Sequence, residues 1–328
     1  MLSSKPRWKG LLKFFGPLLF ILFFIKVVDP KTTLNLLKEI KIGIVLLSLL
    51  LFPVVNAAQT FRWWIICRYV GVTASYSGLF QVYYISWFLS ALPLSGIMPL
   101  SKIIYLHEEG KPTGKVFVSI TLDKLFDIIG LLFFGLFGFI YFPGILFGNQ
   151  LLVGFLGGTL LIVGVGLVFG RKTWEGFRNL FKRFANKRLR QVGRNLETDI
   201  ARFWSDFNLK IFLLILGISI AIGILRSLVL YLLAISLDMD TSFGLIVACR
   251  ALIGIINVIP VTISGLGTRD AILLLTLPLS GISKEAALAL GLIAFLWTIG
   301  SKFSGVIFWL KRPLPAGSIL AIKEKLFT

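Results

Sequence analysis

Long apolar runs separated by short polar pieces make up this chain, and several windows reach about 20 apolar residues, the length that carries a helix across the hydrocarbon core of a bilayer. Strict two-residue alternation is missing, which argues against an outer-membrane barrel. Six runs predict full spans: 11–28, 42–66, 116–142, 151–169, 211–235 and 286–310. Two further runs, 78–101 and 243–282, are interrupted. The first contains Ala91-Leu92-Pro93-Leu94-Ser95-Gly96 and, after Ile97-Met98-Pro99-Leu100, Ser101-Lys102. The second contains Pro260 and then Ser264-Gly265-Leu266-Gly267-Thr268-Arg269-Asp270. A backbone in lipid cannot leave its N–H and C=O groups unpaired, so an interrupted helix at membrane depth persists only where protein buries it or where it lines a wet cavity. The interruptions are therefore the first places to look for a site.

The two halves repeat. Arg62 and Arg226 each open a stretch of roughly thirty residues leading to the proline, an internal period that marks a duplicated unit. Charge then orients the runs. The segment 171–210 carries eleven Lys and Arg against four acids and predicts a cytoplasmic loop. Counting back from it places 102–115 on the cytoplasmic side, where Arg68 already lies, so 78–101 must enter and turn back as a re-entrant hairpin. Counting forward, Asp238 and Asp240 mark an outer connection and Lys311, Arg312, Lys323 and Lys325 a cytoplasmic tail. On that count 243–282 begins and ends outside. The expected architecture is a single all-α, polytopic membrane domain over 1–328, with about six full spans and two re-entrant hairpins in inverted repeats, 42–142 and 211–310. Corresponding interrupted segments of this kind point to a transporter-like binding site.

Composition agrees. The 328 residues are 57% hydrophobic, with a mean hydropathy of +0.91, too apolar for a soluble protein of this size. The formal net charge of +19 suggests nucleic acid at first sight, but the basic residues cluster at the ends of apolar runs and in one loop, as membrane topology and anionic headgroups require, and no nucleic-acid-binding motif accompanies them. Lys5, Arg7 and Lys9 precede the first run in the manner of a signal peptide, yet no small-residue cleavage site follows, so a retained first span in the inner membrane is expected. Cys67 and Cys249 are far apart and lack CxxC spacing, and a lone His107 beside two acids makes no metal site, so neither a metal nor a cofactor is expected.

Candidate chemistry concentrates in four places. The turn Ser264, Gly265, Gly267, Thr268 and Arg269 should open a short helix from Asp270 onward, and free N–H groups, glycines, hydroxyls and an arginine together suit a phosphate. Pairing of Arg269 with Asp270 is the bland alternative. Ser95 and Gly96 with Ser101 and Lys102 offer a weaker version of the same cradle. Asp123 and Asp127, four apart on one helix face, serve as counter-charges to Arg62, Arg226, Arg250 or Arg269, or as proton carriers. Arg226 and Arg250 sit inside apolar runs and read either as structural ion pairs or as headgroup contacts. No Walker sequence, nucleophile elbow or zinc spacing is present.

Several of these motifs resemble one family. Ser264-Gly265-Leu266-Gly267-Thr268-Arg269-Asp270-Ala271 is similar to the GGLG-x-R-E-A signature of the lysylphosphatidylglycerol synthase transmembrane region family, Leu122-Asp123-Lys124-Leu125-Phe126-Asp127 to its LDR-x-x-D segment, and Arg62-Trp63 with Arg68 to its RW-x-x-L-x-R segment. The resemblance implies a flippase-like fold such as that of the multiple peptide resistance factor, whose soluble synthetase domain has no counterpart in these residues. Three departures stand out: Ile97-Met98-Pro99 replaces a common Gly-Gly-Asp, Lys102 and Lys124 stand where arginine is usual, and Trp297 lies near a frequent arginine. The implied function is transport of a lipid or lipid-linked headgroup, an anionic phospholipid or a polyprenyl phosphate, bound at its phosphate between the two hairpins, with a homo-oligomer as one possible state. A membrane transferase acting on such a lipid, with Asp123 or Asp127 as base, is the alternative. A third is a non-catalytic partner that docks a soluble synthetase or transferase on 171–210.

Overall fold

A computed structural model of the chain describes residues 29–91, 97–141, 209–256 and 267–313. The span 11–28, the Pro93-Ser95-Gly96 turn, the span 151–169, the basic loop up to residue 208, the Pro260 to Gly265 turn with Ser264, and Lys323 and Lys325 lie outside the described residues.

Among the described residues every regular element is helical: α1 (Pro30–Lys38), α2 (Ile42–Val70), α3 (Tyr76–Leu89), α4 (Ile97–Glu108), α5 (Thr113–Tyr141), α6 (Leu209–Ser236), α7 (Phe243–Ile256), α8 (Thr268–Thr276) followed by a 3₁₀ turn (Leu277–Ser280), α9 (Lys284–Phe303) and α10 (Val306–Lys311). Three segments are long and apolar enough to cross a membrane: Ile42–Val70, Lys210–Ser236 and Lys284–Lys311. They coincide with three of the predicted spans. The order of helix lengths recurs among the described residues. A long helix, a 14-residue helix, a shorter helix and a long helix recur as α2–α5 and α6–α9, and the interval from Ile42 to Leu209 equals that from Tyr76 to Phe243. At about 1.5 Å per residue, neither 14-residue helix alone crosses a core of about 30 Å.

Local chemistry explains where several helices begin. Asp29 caps α1, accepting from the N–H groups of Lys31 and Thr32 at 3.1 and 3.2 Å, with Pro30 in the first turn, where its missing N–H costs nothing. The Thr32 hydroxyl and the Lys31 N–H hold the Asp29 carboxyl below its usual value, so the cap is intact at neutral pH and is lost only as pH falls through that lowered value. Ser75 caps α3 through the N–H of Gly78 at 3.1 Å. Pro99 falls in the first turn of α4, so it starts that helix rather than breaking it.

The chain divides into two compact units. In the first, made of the described residues within 1–54, 133–143 and 223–303, α1 packs on α9, and α8 packs on both α7 and α9. Lys41 and Asp238 form an ion pair, and the Lys41 N–H donates to the Ser236 carbonyl at 2.9 Å, joining the start of α2 to the end of α6. In the second, made of the described residues within 55–132, 144–222 and 304–328, α3 and α4 pack side by side and α10 lies on α3. Its core joins Trp63 and Cys67 of α2 with Leu79, Val82 and Tyr83 of α3, Ile103 and Leu106 of α4, and Val116 and Ile120 of α5.

One boundary differs from the sequence expectation in a way that matters. The polar connection expected over 102–115 shrinks to the few residues after Glu108, because α4 continues through Ser101-Lys102 and buries residues 101–106. A buried lysine inside a helix reads as a loop only while its surroundings are unknown.

Candidate functional site

The second unit holds a buried ionic cluster. The pair Asp123 and Asp127, one turn apart on α5, meets Arg62 of α2, whose side chain is 1% exposed. Arg62 Nε donates to Asp123 Oδ1 at 2.9 Å, Nη2 lies 2.8 Å from the same oxygen and donates to Asp127 Oδ1 at 2.7 Å, and Nη1 donates to Ser219 Oγ of α6 at 3.0 Å. Ser219 uses its own proton on the Ile215 carbonyl, so its hydroxyl is free to accept from Arg62. Three helices are thereby tied at one guanidinium. Gly130 of α5 faces Ser219 of α6, where a β-carbon would stand 3.4 Å from Ser219 Cβ. Lys124 is exposed and reaches Asp127 Oδ2 at 3.4 Å from the rim. Ser219→Ala removes one acceptor of a buried charge and is expected to cost about 1.5 kcal/mol, measured as a shift in the denaturation midpoint.

This places the acidic pair. Of the arginines that sequence spacing offered as its partner, Arg62 takes both carboxylates.

Lys102 sits beside this cluster in a different environment. Its side chain is buried on α4, with Nζ 4.3 Å from the ring centres of both Trp63 and Tyr83. Cation–π contact with two rings stabilises an ammonium that has left water, at about 0.5–2 kcal/mol each. Among the described residues no carboxylate comes within ion-pair distance of Nζ and no oxygen accepts a hydrogen bond from it. Asp123 and Asp127 act on it only from further away, and both are engaged by Arg62. Lys102 is therefore a buried positive charge held by aromatic faces. Ser101, next to it, donates to the Ser86 hydroxyl and the Met98 carbonyl, both at 2.9 Å, and so joins α4 to α3 rather than facing a ligand.

The first unit contains the other predicted turn. Gly267 precedes α8 with φ of 91°, a backbone conformation open to glycine and strained for other residues. Asp270, fully buried, reaches back so that Oδ2 accepts from the Gly267 N–H at 2.8 Å, while Arg269 Nε and Nη2 both lie 3.4 Å from its Oδ1. The carboxylate thus takes up one of the free N–H groups at the helix start and part of the Arg269 charge, the arrangement of the bland reading of this turn. Thr268 lies half-buried in the first turn of α8. Gly291 of α9 packs directly on Asp270, where any β-carbon would overlap Oδ1. Arg226 on α6 and Arg250 on α7 are half-buried in the same unit, each with an interaction partner.

Some buried polar residues were not singled out in the sequence. Ser219 completes the Arg62 shell. Asn56 and Thr60 on α2 are buried at 2% and 0% exposure, and among the described residues neither Nδ2 nor Oγ1 has a hydrogen bond of good geometry. Polar side chains inside a predicted span were the available signal. His107 is exposed and lies 3.0 Å from the Thr113 hydroxyl, and no group of three or more potential metal ligands occurs among the described residues.

Compared with known sequences, residues 10–300 match the model of a family described as the lysylphosphatidylglycerol synthase TM region. No curated protein matches the chain.

Proposed function

The chain belongs to the lysylphosphatidylglycerol synthase transmembrane region family, a family of integral membrane proteins in lipid metabolism or transport, and from that premise we propose that it moves a lipid or lipid-linked headgroup across the inner membrane. The cargo carries an anionic phosphate, as an anionic phospholipid or a polyprenyl phosphate does. Lys102 carries this reading, because a buried ammonium faced by two aromatic rings and by no ion-pair partner among the described residues is built to receive an anion. Phosphate compensates that charge when the headgroup enters, and the ring faces hold the cation in place when it leaves. In this reading 78–101 and 243–282 each double back within the membrane, and the Gly267–Arg269 turn is a separate candidate anion contact within its own unit, open whenever Asp270 gives up its hold on Arg269. Arg62, Asp123 and Asp127 set the field around the site and fix the helices that carry it. No nucleotide is needed, since alternate exposure of the site moves the headgroup down its gradient.

The test is transfer of labelled phosphatidylglycerol between leaflets of reconstituted liposomes. Lys102→Gln is expected to slow transfer about tenfold, the loss of one charge-assisted contact, whereas Lys102→Arg keeps most of it. Equal rates for wild type and Lys102→Gln would sink the reading. A lipid of altered mass appearing in the same liposomes would point instead to a transferase.

A further inference from the structure

Asn56, Thr60 and Trp63 occur at intervals of four and three along α2, which puts them on one face of that helix about one turn apart. At the Trp63 end stands Lys102, over the rings of Trp63 and Tyr83. Toward the other end, the Asn56 amide lies near the hydroxyl of Tyr84, the residue after Tyr83 on α3, but among the described residues no hydrogen bond of good geometry reaches its Nδ2. The stripe therefore runs along the α2–α3 contact with a cation at one end and, further along, Thr60 Oγ1 and Asn56 Nδ2, neither of which has a hydrogen bond of good geometry among the described residues. All these residues belong to the second unit. Burying such groups in a membrane helix without partners is costly, on the order of 1–3 kcal/mol each, and inside a packed core apolar residues of the same size avoid that cost.

Resting on the transport reading above, we infer that Asn56 and Thr60 form a selectivity site for the uncharged, hydroxyl-bearing part of a phosphodiester headgroup whose phosphate sits at Lys102. The spacing suits a polyol, a glycerol or a sugar, attached to phosphate. The Asn56 amide donates to one of its oxygens, and Thr60 both donates and accepts. A phosphate ester lacking hydroxyls satisfies Lys102 and leaves Asn56 and Thr60 as they are. Because buried groups left unpaired penalise the wrong ligand, a site of this kind discriminates more strongly than an apolar pocket.

The experiment compares the binding of phosphatidylglycerol and phosphatidylmethanol to the full chain in nanodiscs by native mass spectrometry. The two lipids have the same phosphodiester charge and differ in their hydroxyls. Wild type is expected to prefer phosphatidylglycerol about fivefold or more, as one or two net hydrogen bonds allow. Asn56→Leu and Thr60→Val are each expected to bring that ratio toward one, the loss falling on phosphatidylglycerol, and Thr60→Ser is expected to restore it, which a merely misfolded variant does not do. Lys102→Gln lowers binding of both lipids together. An unchanged ratio in Asn56→Leu and Thr60→Val, with Lys102→Gln still weakening both lipids, overturns the selectivity site and leaves the transport reading standing. No effect of Lys102→Gln on either lipid overturns the transport reading, and this inference with it. Glycerol 3-phosphate in solution separates the two sources of the same chemistry: binding with the same dependence on Asn56 and Thr60 supports the site and assigns it to a soluble ester.

Discussion

Arg62→Met is expected to lower the unfolding free energy by about 3–5 kcal/mol, the range measured when one member of a buried ion pair is removed. The reason is what it leaves behind. Asp123 and Asp127, one turn apart on α5, would lose the guanidinium that both engage, and Ser219 would lose the donor its hydroxyl accepts from. Two carboxylates in that position must either repel or take up a proton, and both cost folding energy. Chemical denaturation of the purified protein in detergent, followed by tryptophan fluorescence, reads the change. The triple variant Arg62→Met, Asp123→Leu, Asp127→Leu is expected to recover most of the loss, because an apolar core of similar volume replaces the ionic one. A loss below about 1 kcal/mol in the single variant would mean that the cluster is wet and worth no more than a surface pair.

Gly291→Val is expected to cost about 3 kcal/mol, near the upper end for overpacking a core. The side chain would enter the space of Asp270 Oδ1, and Asp270 has nowhere to go. Its other oxygen is held by the Gly267 N–H, whose positive φ already fixes the turn, and Arg269 lies on its flank. Displacing the carboxylate breaks the N-terminal bond of α8 and leaves Arg269 buried without its acid. A thermal scan checks this, and pairing Gly291→Val with Asp270→Ala gives a sharper reading: if the overlap with Asp270 is the cause, the penalty for valine shrinks in the Asp270→Ala background. Independent, additive losses would place the cost elsewhere on α9.

Much of the fold was legible because the bilayer restricts what a chain can do. A run of apolar residues long enough to cross a membrane has to satisfy its own backbone, so Ile42–Val70, Lys210–Ser236 and Lys284–Lys311 follow from length and hydropathy alone. Prolines, glycines and hydroxyls inside such runs are equally informative: the helices that flank the Pro93 and Pro260 segments are short, and one of them is α8, expected from Asp270 onward and observed from Thr268. The family was legible too, in motifs that keep arginine, aspartate and glycine at fixed spacing.

Which charges meet was not legible. Asp123 and Asp127 at an interval of four define one helix face, but the sequence offered four arginines for it, and only the packing of α2 and α6 on α5 selects Arg62 and adds Ser219. Lys102 shows the limit most clearly. Beside Ser101 and ahead of a polar stretch it resembles the start of a loop, because hydropathy counts the charge and cannot see the ring faces of Trp63 and Tyr83 that replace water around it. The same holds for Asn56 and Thr60, polar letters in a span whose significance depends on Nδ2 and Oγ1 lacking a well-formed hydrogen bond among the described residues. The sequence by itself determined that this is a helical membrane protein and where three of its membrane-length helices lie, since those follow from the cost of exposing backbone and charge to lipid. Only the tertiary structure decided which charges cancel and which remain to be met, because that depends on contacts between residues far apart in the chain, and no local pattern encodes them.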